Sequence, residues 1–143
     1  MIAIGSDHGG YELKQLVIRH LEQRGIAVED MGCHQKESCD YPVYGRAVAK
    51  AVAEGRFEKG IVICTTGIGI SIVANKVKGI RCALCADTLS AKMTRLHNDA
   101  NVLALGGGIL GENLAMEIVD TFLDTTFSGE EKHSRRIAQM EEV

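Results

Sequence analysis

The stretch Ile61–Lys76, IVICTTGIGISIVANK, decides the fold. Apolar residues ending in Cys64 lead through Thr65 and Thr66 into glycines at 67 and 69, and an apolar helical pattern follows. The run Gly60–Cys64 reads as a buried strand, the glycines as a tight turn, and about Ile70 to Val77 as a helix. A strand that turns through glycine directly into a helix is the opening of a crossover unit, which brings the next strand back parallel.

Working outward, the same alternation recurs. Towards the N-terminus, IAIG (Ile2–Gly5) passes through SDHGG into a helix with Leu13, Leu16, Val17 and Leu21 on one stripe, ended by Gly25. IAVEDMG (Ile26–Gly32) reads as the second strand. After the polar loop CHQKESCDYP, a helix begins, with Asp40 as its expected cap and Pro42 in its first turn. Towards the C-terminus, IRCALCA (Ile80–Ala86) is a fourth strand, and Asp87 or Thr88 caps a helix ending near His97. NVLAL (Asn101–Leu105) is a fifth strand running into Gly106, Gly107 and Gly108, and a helix spans about Glu112 to Phe122. Ser128–Glu131, SGEE, matches a capping box and predicts a last helix. Five such units predict a parallel sheet with helices on both faces, in a single domain over residues 1–143.

Bulk properties narrow the function. A net charge of −3 with scattered Lys and Arg argues against nucleic acid as the main partner. No basic leader precedes Asp7 and no apolar run reaches the roughly 18 residues of a membrane span, so a soluble, unprocessed, cytoplasmic protein is expected. Five cysteines in no regular spacing read as reduced thiols. Cys82 and Cys85 stand three apart in a strand and so point to opposite faces, which makes them packing residues rather than a metal pair. Cys33 and Cys39 flank a polar loop with His34 between them, where zinc is the lesser reading because a structural site normally wants four ligands.

Ligands of such sheets bind beyond the carboxyl ends of the strands. Asp7 and His8 follow the first strand, Cys64 to Gly69 the third, and Gly106 to Gly108 the fifth, all on one edge. Asp7 reads equally as a helix cap or as a site residue; His8 has no apolar periodicity to explain it. The Gly67-x-Gly69 loop has Ile72 where a dinucleotide fingerprint needs glycine, lacks the Lys-Ser/Thr of a P-loop, and has Ile70 where a cysteine phosphatase needs arginine. What survives is a set of backbone amides opening a helix, suited to an oxyanion. Cys64 borders them, where a helix N-terminus would favour a thiolate, although a strand-end cysteine also serves simply as a small apolar residue. His97 and Asn98 end a helix at the opposite edge; either they are a helix terminus favoured by the dipole, or they serve a neighbouring subunit's site. Lys132 and Arg136, four apart on one helix face, suit either solvent or a phosphate ester.

Taken together, GSDHGGYELK, DYP, CTTGIGISIVANK, GIRCAL, HNDANVLALG and KHSRRI resemble, in order and over nearly the whole chain, the ribose-5-phosphate isomerase B family, which includes galactose- and allose-6-phosphate isomerases. The resemblance implies a Rossmann-like three-layer α/β/α sandwich with a five-stranded parallel sheet, a homodimer or tetramer with sites shared between subunits, and no metal or organic cofactor. It implies an aldose–ketose isomerase converting ribose 5-phosphate and ribulose 5-phosphate through a cis-enediolate, in the non-oxidative pentose phosphate branch. A six-carbon sugar phosphate or a free rare aldose is the alternative substrate.

By the same resemblance, Cys64 is the base, and the Thr65, Thr66, Gly67, Ile68 and Gly69 backbone is the oxyanion hole. His97 opens the sugar ring with assistance from Thr66, Asp7 and Asn98 hold hydroxyls, and His8, Lys132 and Arg136 hold the phosphate. Gly108 and Lys132 depart from arginines, and Thr65 from a glycine, that many members carry.

Overall fold

The computed structural model describes residues 1–143. Its strands are β1 (Ile2–Ser6), β2 (Val28–Asp30), β3 (Lys59–Cys64), β4 (Cys82–Leu84) and β5 (Val102–Gly106). Its α-helices are α1 (Tyr11–Gln23), α2 (Tyr41–Ala53), α3 (Ile68–Asn75), α4 (Thr88–Asn98), α5 (Glu112–Asp124) and α6 (Glu131–Glu141), and a short 3₁₀ turn, His8–Gly10, precedes α1. The strands form one fully parallel sheet in the order β2-β1-β3-β5-β4.

Strand alternation divides the core into two layers. Ile61, Ile63, Leu103 and Leu105 face α1, α4 and α5, where Val17, Leu21, Ala91, Ile118 and Phe122 are buried against them. Val62, Cys64, Val102 and Ala104 face α2 and α3, packing on Val48, Val52, Ile70 and Ala74. A central strand apolar on both faces is what a sheet covered by helices on both sides requires. Cys85 belongs to the first layer and Cys82 packs against the second, so the two thiols face opposite ways, and no cluster of His, Cys, Asp or Glu is placed to hold a metal ion.

The order of the strands positions the site. From β1 the chain moves outward to β2, then returns across β1 to β3 on its other side. The helix leaving β1 packs on one face and the helix leaving β3 on the other. Their loops therefore part, and a crevice opens between the carboxyl ends of β1 and β3.

Local signals hold in most places. Gly25 ends α1 with φ 75°, Pro42 stands in the first turn of α2, and Asp87 caps α4, accepting from the Ser90 amide at 2.6 Å. Three details differ. Asp40 occupies the cap position of α2, but its side chain makes no capping bond; its carbonyl instead accepts from the Val43 amide. The left-handed residue that stops α4 is Asp99 (φ 45°), one beyond Asn98. The SGEE capping box does not form, because Gly129 (φ 72°) turns the chain between Ser128 and a helix that starts only at Glu131.

Candidate active site

Cys64 ends β3, 5% exposed, with its sulfur at the floor of the crevice. The Gly67 amide donates to Cys64 Sγ at 3.1 Å. That bond needs the chain to double back, which Gly67 permits with φ 78°; a Cβ there would also lie 2.6 Å from Leu84 and 2.8 Å from the Leu105 carbonyl carbon. The Ile68 amide donates to Thr66 Oγ1 at 3.2 Å. The amides of Thr65, Thr66 and Gly69 donate to no protein acceptor, and Gly69 lies in the first turn of α3. Unspent amides beside a buried sulfur at the positive end of a helix are suited to receive an anionic oxygen.

The β1 loop supplies the opposite wall. The Asp7 amide donates to the Ile63 carbonyl at 3.2 Å, tying the two loops together. Asp7 Oδ1 accepts from the Gly10 amide at 3.1 Å, so its carboxylate is a cap, and the residue also lines the pocket. His8 is exposed and its Nδ1 accepts from the Cys39 amide at 3.2 Å, which leaves Nε2 as the proton-bearing nitrogen facing outward. The pocket has a volume of about 350 Å³ and is lined by Asp7, Tyr41, Cys64, Thr65, Thr66, Ile68 and Gly69.

Tyr41 is the one lining residue that sequence reasoning missed. Its ring covers Gly69 so closely that a Cβ at that glycine would stand 2.7 Å from ring carbons and 2.9 Å from the hydroxyl. Tyr41 opens α2, far along the chain from Cys64, and its only sequence signal was its place in the DYP segment.

His97 and Asn98 lie at the other edge of the sheet, where α4 ends and the chain enters β5. His97 stacks on His133 of α6, ring centroids 4.2 Å apart and planes 18° off parallel. Burial pushes the His133 imidazole below the ordinary histidine range, and the neighbouring His97 pushes it further. The Asn98 carbonyl accepts from Arg81 Nε at 2.8 Å, and the residue lines a second, larger cleft of about 910 Å³ with Arg81 and the end of α6. Lys132 stands 3.8 Å from Glu130, and Arg136 makes no ion pair. Within one chain, therefore, Cys64, Asp7, His8 and the glycine loop come together, while His97, Asn98, Lys132 and Arg136 form a separate group.

A parallel sandwich with a thiol, a capping carboxylate and free amides at its switch point has the design of an α/β enzyme for a small anionic substrate. The chain belongs to the Ribose/Galactose Isomerase family, which it matches over residues 2–140. It is 47% identical over 136 residues to the ribose-5-phosphate isomerase B of Escherichia coli, covering 95% of this chain and 91% of that protein. The structure of Clostridium thermocellum ribose-5-phosphate isomerase B superposes with a TM-score of 0.97 at 52% identity, over 99% of this chain and 95% of that one. A D-erythrulose-4-phosphate isomerase of Pectobacterium atrosepticum is 43% identical over 129 residues, 90% of this chain and 85% of that one. The protein is an aldose–ketose isomerase of this family, and no helix is long and apolar enough to cross a membrane.

Proposed function

We propose that this enzyme interconverts D-ribose 5-phosphate and D-ribulose 5-phosphate through a cis-enediolate, serving the non-oxidative pentose phosphate branch, as a homodimer or tetramer whose sites are shared between copies. The observation that carries the chemistry is the Cys64 sulfur accepting the Gly67 amide at 3.1 Å, with the Thr65, Thr66 and Gly69 amides unspent beside it.

In the forward direction the Cys64 thiolate takes the proton from C2 of the open-chain aldose. The electron pair moves into the C1–C2 bond and the carbonyl oxygen becomes anionic, where the loop amides hold it. The O2 proton passes to O1, and as the C2–O2 carbonyl forms the double-bond electron pair takes the proton back from Cys64 at C1, giving the ketose. Before this, His97 of a second copy gives a proton to the ring oxygen and takes one from the anomeric hydroxyl, aided by Thr66. Asp7, and Asn98 of the second copy, orient hydroxyls. His8 Nε2, with Lys132 and Arg136 of the second copy, holds the phosphate. What supports the shared arrangement is the geometry of one chain, in which His97 and Asn98 end α4 at the sheet edge remote from Cys64 and His97 stacks on α6, the helix that carries Lys132 and Arg136.

Proton NMR of ribose 5-phosphate in D₂O tests the reading. The wild-type enzyme should exchange the C2 proton for deuterium while ribulose 5-phosphate appears. Cys64→Ala should fold normally and lose about 10²- to 10⁴-fold in turnover, the usual worth of an acid–base group. An active, folded Cys64→Ala variant would remove the thiol as base. A wild-type enzyme silent on ribose 5-phosphate but active on allose 6-phosphate would move the substrate to six carbons.

A further inference from the structure

Three loops meet over the pocket, and one side chain fills the space between them. Gly107 N donates to the Cys64 carbonyl and Gly108 N to the Thr65 carbonyl, each at 2.8 Å, so the β5 loop lies along the β3 loop. The β1 loop lies on the other side. A Cβ at Gly9 would stand 2.0 Å from Thr65 Oγ1, and one at Gly108 would stand 2.9 Å from Thr65 Cγ2. The loops on both flanks are thus stripped of side chains where Thr65 sits, with its hydroxyl towards Gly9 and its methyl towards Gly108.

Thr65 is exposed, lines the pocket, and its hydroxyl makes no hydrogen bond within the protein. It is bonded directly to Cys64, the reacting end of the pocket. Its hydroxyl touches Gly9, the neighbour of His8, at the anion-holding end. A molecule reaching from the Cys64 sulfur to the His8 imidazole passes the Thr65 side chain.

We infer that the Thr65 side chain sets the length of sugar phosphate the site accepts, acting as a ruler between the base and the phosphate-holding histidine. This rests on the isomerase reading above. With the side chain in place, a sugar one carbon longer must bow outward against Tyr41 or Ile68. Without it, the floor between Gly9 and Gly108 is open and the longer chain lies flat. The discrimination comes from bulk, not from the hydroxyl.

The test measures kcat/KM on ribose 5-phosphate and allose 6-phosphate for the wild-type enzyme, Thr65→Gly, Thr65→Val and Gly9→Ala. Thr65→Gly should raise the six-carbon to five-carbon ratio by about tenfold or more, the lower range of what one carbon of misfit is worth. Thr65→Val keeps the shape and should leave the ratio within about threefold of wild type. Gly9→Ala pushes the threonine into the pocket and should move the ratio the other way. A ratio unmoved in folded Thr65→Gly overturns the ruler while leaving the isomerase reading intact, and a ratio moved equally by Thr65→Val overturns bulk as its cause. A wild-type enzyme that isomerises neither sugar defeats the functional reading, and the ruler with it.

Discussion

The two edges of the sheet are built from different materials. At the carboxyl edge, the crevice is made of backbone: glycines at 9, 67, 69, 107 and 108, unspent amides, one buried thiol and one capping carboxylate. At the amino edge, side chains do the work. Arg81 reaches the Asn98 and Asp99 carbonyls and Glu141, Arg95 pairs with Asp99 and bonds the Ala100 carbonyl, and His97 lies on His133. The first edge suits transient negative charge, which fixed amides stabilise without rearranging. The second fixes long cations and imidazoles by side-chain bonds and stacking, chemistry suited to the proton exchange and phosphate binding proposed for it. The difference teaches that, on the proposed function, a working unit needs both edges, which one chain holds apart and a symmetric pair of copies would bring together.

That comparison breaks most directly by mixing inactive enzymes. Cys64→Ala and His97→Ala should each be inactive on ribose 5-phosphate. If Cys64 and His97 of one site come from different copies, a hybrid dimer has one site with both substitutions and one with none. After unfolding and refolding together, an equal mixture should regain about a quarter of wild-type activity by random pairing of a two-fold dimer. Activity that stays at the level of the separate variants would place both residues in one copy's site.

Buried charge is not confined to the amino edge, and one exception sharpens the contrast. Lys14 is fully buried on α1, with Nζ donating to Asp30 Oδ1 at 2.8 Å and to the Cys33 carbonyl. It anchors the loop after β2, and the far end of that loop supplies the Cys39 amide that orients His8. Removing one partner of a buried pair leaves the other charge uncompensated. Lys14→Met should therefore cost about 3 kcal/mol in urea unfolding, the lower end for such a loss, because Asp30 keeps the Gly32 amide and some water. The surviving folded enzyme should show a higher KM with a smaller change in kcat, as expected when His8 loses its support rather than the base. A variant of wild-type stability would mean that Lys14 is not needed to hold the loop.

Much of this was legible before the structure. The strands and helices follow from period and capping, and the placement of His97 opposite Cys64 follows from a parallel topology alone. The strand order did not follow: β4 takes the edge and β5 the place beside β3, a long-range pairing that no local pattern records. Lys14 was invisible for a similar reason, since its partner stands sixteen residues away. Tyr41 was hidden because its contact with Gly69 joins α2 to α3 across the crevice. The Cys82-x-x-Cys85 pair read correctly as packing: burial pushes their thiols up to about 12 and about 11, so neither is a thiolate near neutrality.

The smallest expected effect concerns the histidine stack. His133 is held below the ordinary value of 6.5, first by burial and then by His97, with Lys132 and Arg136 adding to the push and Glu130 opposing it. A histidine whose folded pKa is lowered binds its proton more readily in the unfolded chain. Its neutral form is fully compatible with the fold above about pH 6.5, and stability is lost as pH falls through that value towards the folded pKa. Thermal melting of the wild-type enzyme should therefore drop between pH 7.5 and 5.5 by more than that of His133→Phe, which keeps the stacked ring without the titration. The excess should be about 2 °C, a small shift for a domain of this size. Equal slopes in the two proteins would show that His133 does not titrate differently on folding. The same comparison bears on catalysis: a neutral His133 at 4.2 Å spares His97 a like charge. His133→Lys, which makes that charge permanent, should depress the rate from furanose ribose 5-phosphate more than Cys64-dependent deuterium exchange into the open-chain ketose. Equal losses in both assays would detach the stack from ring opening.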